Sequence, residues 1–302
     1  MCPVYINRIA SIHAEGGDEK PYLSAQEPDY KEVITNANLR RRMSHIVRMG
    51  TACALECLKG VPSEKVDAII TATGLGCLAD TEKFMNTLAD NGEQMLNPAT
   101  FIQSTFNTMG AQIALLLKIH AYNVTYVHRS FSFESALADG IMCIAEGKRQ
   151  ILVGAMDEIT PTTHTILQRL GLLKKMPAGE GAQFFLLSAQ RDEQTFAELK
   201  GVDTFTTRTD DADISDRIHR FLNAHGLAPR DIDWFISDSP LFPHARHTGF
   251  KDRCGEYPTA SSYALWMAAR SLKKEASARY ALIYNRTPGI HHSLILIERC
   301  TP

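Results

Sequence analysis

Apolar positions along the chain fall into two alternating rhythms. From Val4 to Ile12 they alternate with period two, as in a strand with one buried face, and further on Leu39, Met43, Ile46, Val47 and Ala54 recur at helical spacing. That spacing predicts one helix over about 39–58, lying on a sheet. "VDAIITATGLG" predicts a buried strand ending in a glycine turn, and "ADTEKFMNTLAD" a helix with Asp80 as its N-cap. The rhythm continues with a helix over 110–119, a strand over 124–127, a helix over 132–146 and a strand in "QILVGAM". A loop over 161–177 precedes a strand in "AQFFLLSA". It resumes near Leu199 with a strand, a helix over 214–224, the strand "IDWFIS" and a long loop. A helix over 263–274 and two closing strands, "RYALIY" and "SLILIER", complete it. Strands alternating with helices predict an α/β fold, its sheets covered by helices.

Two segments suggest duplication. "GVPSEKVDAII" from Gly60 and "GLAPRDIDWFI" from Gly226 each place an aspartate seven residues after the glycine, where a helix hands over to a strand. The expected division is 1–192 for a first half and 193–302 for a second, shorter one.

Composition narrows the class. A chain of 302 residues with 44% hydrophobic and 22% charged residues and a net charge of -2 can bury a large core, and it carries no global basic field for nucleic acid. Seven cysteines without close pairs point to reduced thiols rather than a disulfide framework. The first residues lack signal-peptide regions, and the longest apolar run, "AQIALLL", is too short to span a bilayer. The expectation is a cytoplasmic protein that meets neither membrane nor nucleic acid.

Candidate chemistry centres on "VTYVHRSFSFESALADG", a β-branched strand turning sharply into a helix with Ser130 at the corner. A serine there is either a nucleophile or a small residue that fits the turn, and nucleophilic work needs an oriented base. His128 and Glu256 are the improvised bases available, and His291 and His292 could donate to an oxyanion. His244 and His247 in "PHARHTG" lack further ligands for a metal. Cys77 and Cys254 are substitute thiols or inert buried ones, and the basic "LRRRMSHIVR" is a docking stretch or a solvated helix face.

Taken in order, several segments resemble the β-ketoacyl synthases of the thiolase-like superfamily. They are "RRMSHIVRMGTACALECL", "FIQSTFNTMGAQIALLL", the region from Asn123 through "VGAMDE", "AGEGAQFFLLS", "KDRCGEYPTASSYALWMAA" and "NRTPGIHHSLILIE". The resemblance implies a duplicated α-β-α-β-α five-layered fold. It also implies a nucleophilic cysteine and two histidines that hold the thioester oxygen during decarboxylation. This sequence has Ser130, Asp238 and Glu256 at those positions, with the family's Lys251 and Gly255 retained. The glycine-rich gating turn is degraded to "TPGIHH". Two carboxylates would repel a malonyl group, so condensation by the usual route is not expected.

Degenerate members of the superfamily act as chain-length factors beside an active condensing subunit, and the sequence is similar to the synthase-like proteins of aryl polyene and flexirubin-type clusters. The resemblance therefore implies an acyl carrier protein and an active synthase paralogue, or a second copy of this chain, as partners, and no cofactor. The strand at 124–127 and its following helix would meet the partner. Phe106, Met109, Phe131 and Phe133 would limit the acyl tunnel. The competing expectation is a serine-dependent acyltransferase or thioesterase acting through Ser130 on carrier-bound acyl groups.

Overall fold

The computed structural model describes residues 2–14, 21–173, 176–207, 211–242, 244–287 and 290–300. Part of the polar segment after β1 and Pro288 and Gly289 of "TPGIHH" lie outside them. The first half runs β1 (Tyr5–Ile12), α1 (Tyr30–Val33), α2 (Ala37–Arg42), α3 (His45–Cys57), β2 (Ala68–Ala72), α4 (Leu78–Asp90), α5 (Pro98–Gln103) and α6 (Thr108–Leu117). It continues with β3 (Tyr122–Tyr126), α7 (Ser132–Ala145), β4 (Gln150–Asp157), α8 (Pro161–Arg169) and β5 (Gly181–Ser188). The second half runs β6 (Ala197–Thr206), α9 (Asp211–Ala224), β7 (Trp234–Ile236), β8 (Arg246–Thr248), α10 (Lys251–Cys254), α11 (Ser261–Lys274), β9 (Tyr280–Thr287) and β10 (His291–Glu298).

The strands form one hydrogen-bonded ribbon in the order β3-β2-β4-β5-β1-β6-β10-β9-β7-β8. Reading outward from its middle, each half has the same order and the same mixture of two parallel and two antiparallel neighbours. The halves are joined by a short seam in which Tyr5 faces Glu198 and Ile6 faces Ala197. The duplicated segments take up matching roles. Gly60 and Gly226 both have positive φ, 77° and 72°, at the ends of α3 and α9. Asp67 accepts from the backbone N–H groups of Arg149 and Gln150 at the start of β4, and Asp233 from those of Arg279 and Tyr280 at the start of β9.

Three apolar cores define five layers. On one outer face α3 and α6 set Ile46, Met49 and Ile113 against Ile69, Leu152 and Phe184. Between the half-sheets α7 and α11 contribute Phe133, Leu137, Leu265 and Ala268 to the largest core, against Ile70, Phe185 and Ile295. On the far face α9 places Ile218 and Leu222 on Phe235 and Leu296. The succession is helix, sheet, helix, sheet, helix. The central strands β4 and β5 are covered on both sides, which is why they read as continuous apolar runs.

Several local expectations are corrected. The helix expected over 39–58 breaks at Met43 and Ser44, where extended backbone turns the chain and lets Met43 enter the core. Asp80 lies inside the first turn of α4, whose N-cap is Cys77. The expected loop over 161–177 contains α8, which Thr160 caps by accepting from Thr163 N–H. Among the described residues, no helix is long and apolar enough to cross a membrane.

Candidate functional site

The corner after β3 is built by its own side chains. Ser132 Oγ accepts from His128 N–H and donates to the carbonyl of Arg129, at 2.8 and 2.7 Å, and holds Arg129 at φ 52° before α7 starts. A left-handed conformation at a side-chain-bearing residue is disfavoured by about 1–2 kcal/mol and persists only where the surroundings impose it. Ser130 sits next in the chain, 6% exposed, at the N-terminal end of α7, and lines a cavity of about 290 Å3. Arg129, Glu256, Tyr257, Thr287 and His291 make up the rest of its polar wall, and Leu75, Leu167, Leu172, Leu173 and Pro258 its apolar wall. Two of those leucines follow α8, the helix the apolar pattern did not show.

Glu256 is placed by a crossing of two backbones. Gly255, at φ 80°, lies so close to Gly179 that a Cβ on it would stand 2.4 Å from Gly179 Cα, and Gly179 N–H donates to the Glu256 carbonyl. Glycine at both positions permits this approach. Lys251, 3% exposed, donates from Nζ to Glu256 Oε2 at 2.6 Å and to the Arg286 carbonyl at 2.8 Å. Asp238, beyond the end of β7, spends Oδ1 on the backbone N–H groups of Phe250 and Lys251. Glu256 Oε1 and Asp238 Oδ2 are buried with no hydrogen-bond partner among the described residues. Burial pushes the Glu256 carboxyl up, Lys251 offsets part of this, and Asp238 adds to the rise.

The structure thus joins Ser130 to Glu256, and Glu256 to Lys251, with Asp238 close by. The cluster of Asp238, Lys251 and Glu256 holds two carboxylates and one ammonium and contains no imidazole. It can accept hydrogen bonds and hold a cationic or donor group. It offers no pair of ring N–H groups to a developing enolate.

Other candidates fall elsewhere. His128 as a base for Ser130 is overturned: its Nδ1 is 3.0 Å from Ser135 Oγ, and it does not line the cavity. His291 does line it, its ring edge-on to Phe131 at 4.9 Å, whereas His292 is buried between Phe205 and Tyr284. Phe106 flanks a separate hollow beside Thr125 and Val127, Met109 is in the outer core, and Phe133 lies against Phe185 in the central core. Burial raises the thiol of Cys77, up to about 12, and also raises that of Cys254, so neither is a ready nucleophile. Among the described residues, no group of histidine, cysteine or carboxylate side chains is arranged to hold a metal ion.

One cluster has no counterpart in the sequence reading. His45, at the start of α3 within the basic stretch, lies between Glu27 at 3.0 Å and Glu180 at 3.4 Å. Burial alone would lower its imidazole, but the two carboxylates reverse this and push it up to about 10. Glu180, the acid of the "GEGA" turn, also accepts from Ala25 and Ile159 N–H. Nearby, burial pushes Glu158 up to about 7. Partners so far apart in sequence leave no local signal.

Five layers, two half-sheets of one strand order and a reactive-looking corner at the start of a central-layer helix define a thiolase-like protein. The chain belongs to the beta-ketoacyl synthase family, whose N-terminal domain model matches residues 17–223. Its fold is similar to a chain of AntDE:AntF, a type II PKS acyl-carrier protein in complex with its ketosynthase bound to the hexaketide, with a TM-score of 0.82, 15% identity and coverage of 99% of this chain and 100% of that one. It is also similar to the ishigamide ketosynthase/chain length factor, at 0.81 and 14% identity over 99% of both chains. A beta-ketoacyl synthase from Burkholderia phymatum STM815 gives 0.79 and 12% over the whole of both chains. No curated protein matches the chain.

Proposed function

We propose that this chain is a chain-length-factor-like subunit of fatty acid or polyketide-type biosynthesis, of the aryl polyene kind, which pairs with a condensing synthase and does not itself condense. The observation that carries this is the buried Lys251–Glu256 ion pair at 2.6 Å, standing where the family's chemistry needs a histidine. Asp238 is similarly committed to backbone N–H groups. Both positions serve the architecture, and Ser130 lacks the easily ionised sulfur of a condensing nucleophile.

Pairing is supported by the surface around β3, the end strand of the first half-sheet, whose outer edge is a ready template for another chain. Phe101, Ile102 and Leu115 are exposed on α5 and α6, Phe106 in the turn between them, Tyr122 on the strand and Met142 on α7. A patch of this kind marks a protein–protein contact. The partner is a condensing paralogue, with an acyl carrier protein supplying the growing chain, as the solved ketosynthase complexes suggest by their composition.

Co-expression with a condensing paralogue and carrier protein tests the reading. A stable complex whose product length shifts when the chain is altered is expected. Condensation of acyl and malonyl carrier proteins by the chain alone, or no effect on any paralogue's products, sinks it.

A second reading, acyl transfer through Ser130, is favoured by one observation: Ser130, Glu256 and His291 line the same cavity behind a left-handed corner. Intact mass after incubation with acyl carrier proteins separates the two. An acyl-sized increment absent from Ser130→Ala supports acyl transfer, and no increment on either supports the subunit.

A further inference from the structure

The polar groups that the cavity offers to an occupant are donors. Glu256, the one carboxylate on its wall, is turned away: Oε2 takes the Lys251 ammonium at 2.6 Å, and Oε1 is buried out of reach. Ser130 lines the cavity at 6% exposure, and its hydroxyl has no hydrogen-bond partner among the described residues. It stands just before α7, a helix of 14 residues, whose first turn presents unpaired N–H groups and partial positive charge. Arg129 also lines the cavity, and its side chain has no ion pair or hydrogen bond among the described residues. Thr206 Oγ1 lies 3.3 Å from His291 Nδ1, which leaves the Nε2 side of that ring for a ligand. Leu75, Leu167, Leu172 and Leu173 make the rest of the occupant apolar. At ~30 Å3 for each water-sized group, the volume holds roughly ten non-hydrogen atoms.

We infer that this cavity binds a free medium-chain carboxylate, an unbranched acid of about eight carbons, held by its charged end at Arg129, Ser130 and His291. A carboxylate supplies only acceptors, and its two oxygens match the guanidinium fork, which a hydroxyl or a thioester carbonyl does not. The Ser130 hydroxyl gains the partner it lacks, and the alkyl chain lies along the leucines, where its apolar surface leaves water. Glu256 adds no net repulsion, since the Lys251 ammonium compensates its charge. Arg129 takes a left-handed backbone at φ 52°, and strained backbone of this kind clusters at ligand clamps. The site goes beyond the subunit reading, because it needs neither a carrier protein nor a partner chain.

Calorimetric titration of the purified chain with octanoate, 1-octanol, octylamine and octanoyl pantetheine tests this. Octanoate is expected to bind at least tenfold more tightly than each of the other three. Arg129→Asn removes the cation and installs a residue that tolerates positive φ, so it should cut the octanoate-to-octanol ratio at least tenfold. No saturable binding of octanoate, octanol or octylamine within about threefold of it, or a ratio unmoved by Arg129→Asn overturns the inference. Octanoyl pantetheine bound as tightly as octanoate overturns it too, and makes the donors an oxyanion site for a thioester. Octanoate and octanol differ only at the head group, so their comparison stands even where the variant does not fold. The subunit reading is decided separately, by co-expression.

Discussion

Lys251 Nζ lies 2.6 Å from Glu256 Oε2, and the two side chains are 4% and 10% exposed. Each side chain is the other's charged partner at that depth, so removing either one leaves a buried charge uncompensated. The bond therefore ties α10 to the backbone crossing at Gly179 and Gly255, and it fixes the cavity wall.

Lys251→Met should leave the buried Glu256 carboxylate without its cation and destabilise the protein by about 3–5 kcal/mol. Lys251→Met combined with Glu256→Leu should recover most of that loss. Urea unfolding of the two variants checks this, and a double variant as unstable as the single one would show that the pair is not the cause.

Gly255→Ala should cost more than about 3 kcal/mol, because the new methyl meets the Gly179 backbone at a φ of 80°. Gly60→Ala, also at positive φ but with open space around it, should cost about 1 kcal/mol. Equal unfolding midpoints for the two would contradict the close crossing.

His45 predicts a pH dependence. Its folded value is raised to about 10 from an ordinary 6.5, so the folded state holds the proton more tightly. The resulting stability is fully present below about pH 6.5 and is lost as pH rises toward 10. Unfolding free energy measured between pH 6.5 and 10 should fall, and His45→Gln should flatten that slope. A slope unchanged in the variant would assign it to other groups.

Phe101→Glu with Leu115→Glu should leave folding intact, since both side chains are exposed, at 55% and 73%. The same change should weaken co-purification with a condensing paralogue at least tenfold if the β3 edge is the contact. Sedimentation of the mixed proteins reads this directly.

Much of the fold was legible because strand and helix periodicities and two glycine-to-aspartate spacings are local signals. Asp67 and Asp233 carry the duplication in sequence and do the same work in the structure. Helices α5 and α8 were not legible, being short and largely exposed, with no apolar stripe to declare them. The site was half legible. Ser130 and Glu256 came from motif positions and share a cavity. The leucine wall and the His45 cluster depend on chain crossings that no spacing records. Proximity in sequence made His128 a candidate base for Ser130, but beyond the left-handed corner its ring meets Ser135 while Ser130 lines the cavity.

The seam between the half-sheets sets a timetable for biosynthesis. β1 lies in the middle of the ribbon, and the Asn7 amide donates to the carbonyl of Gln190, 183 residues further along. At ~5–20 residues per second, β1 waits roughly ten to forty seconds on the ribosome before β5 and β6 exist to cover its edges. A nascent chain therefore carries a strand with an uncovered apolar face and unpaired edges over that interval, and its yield in cells should depend on chaperones that shield that strand.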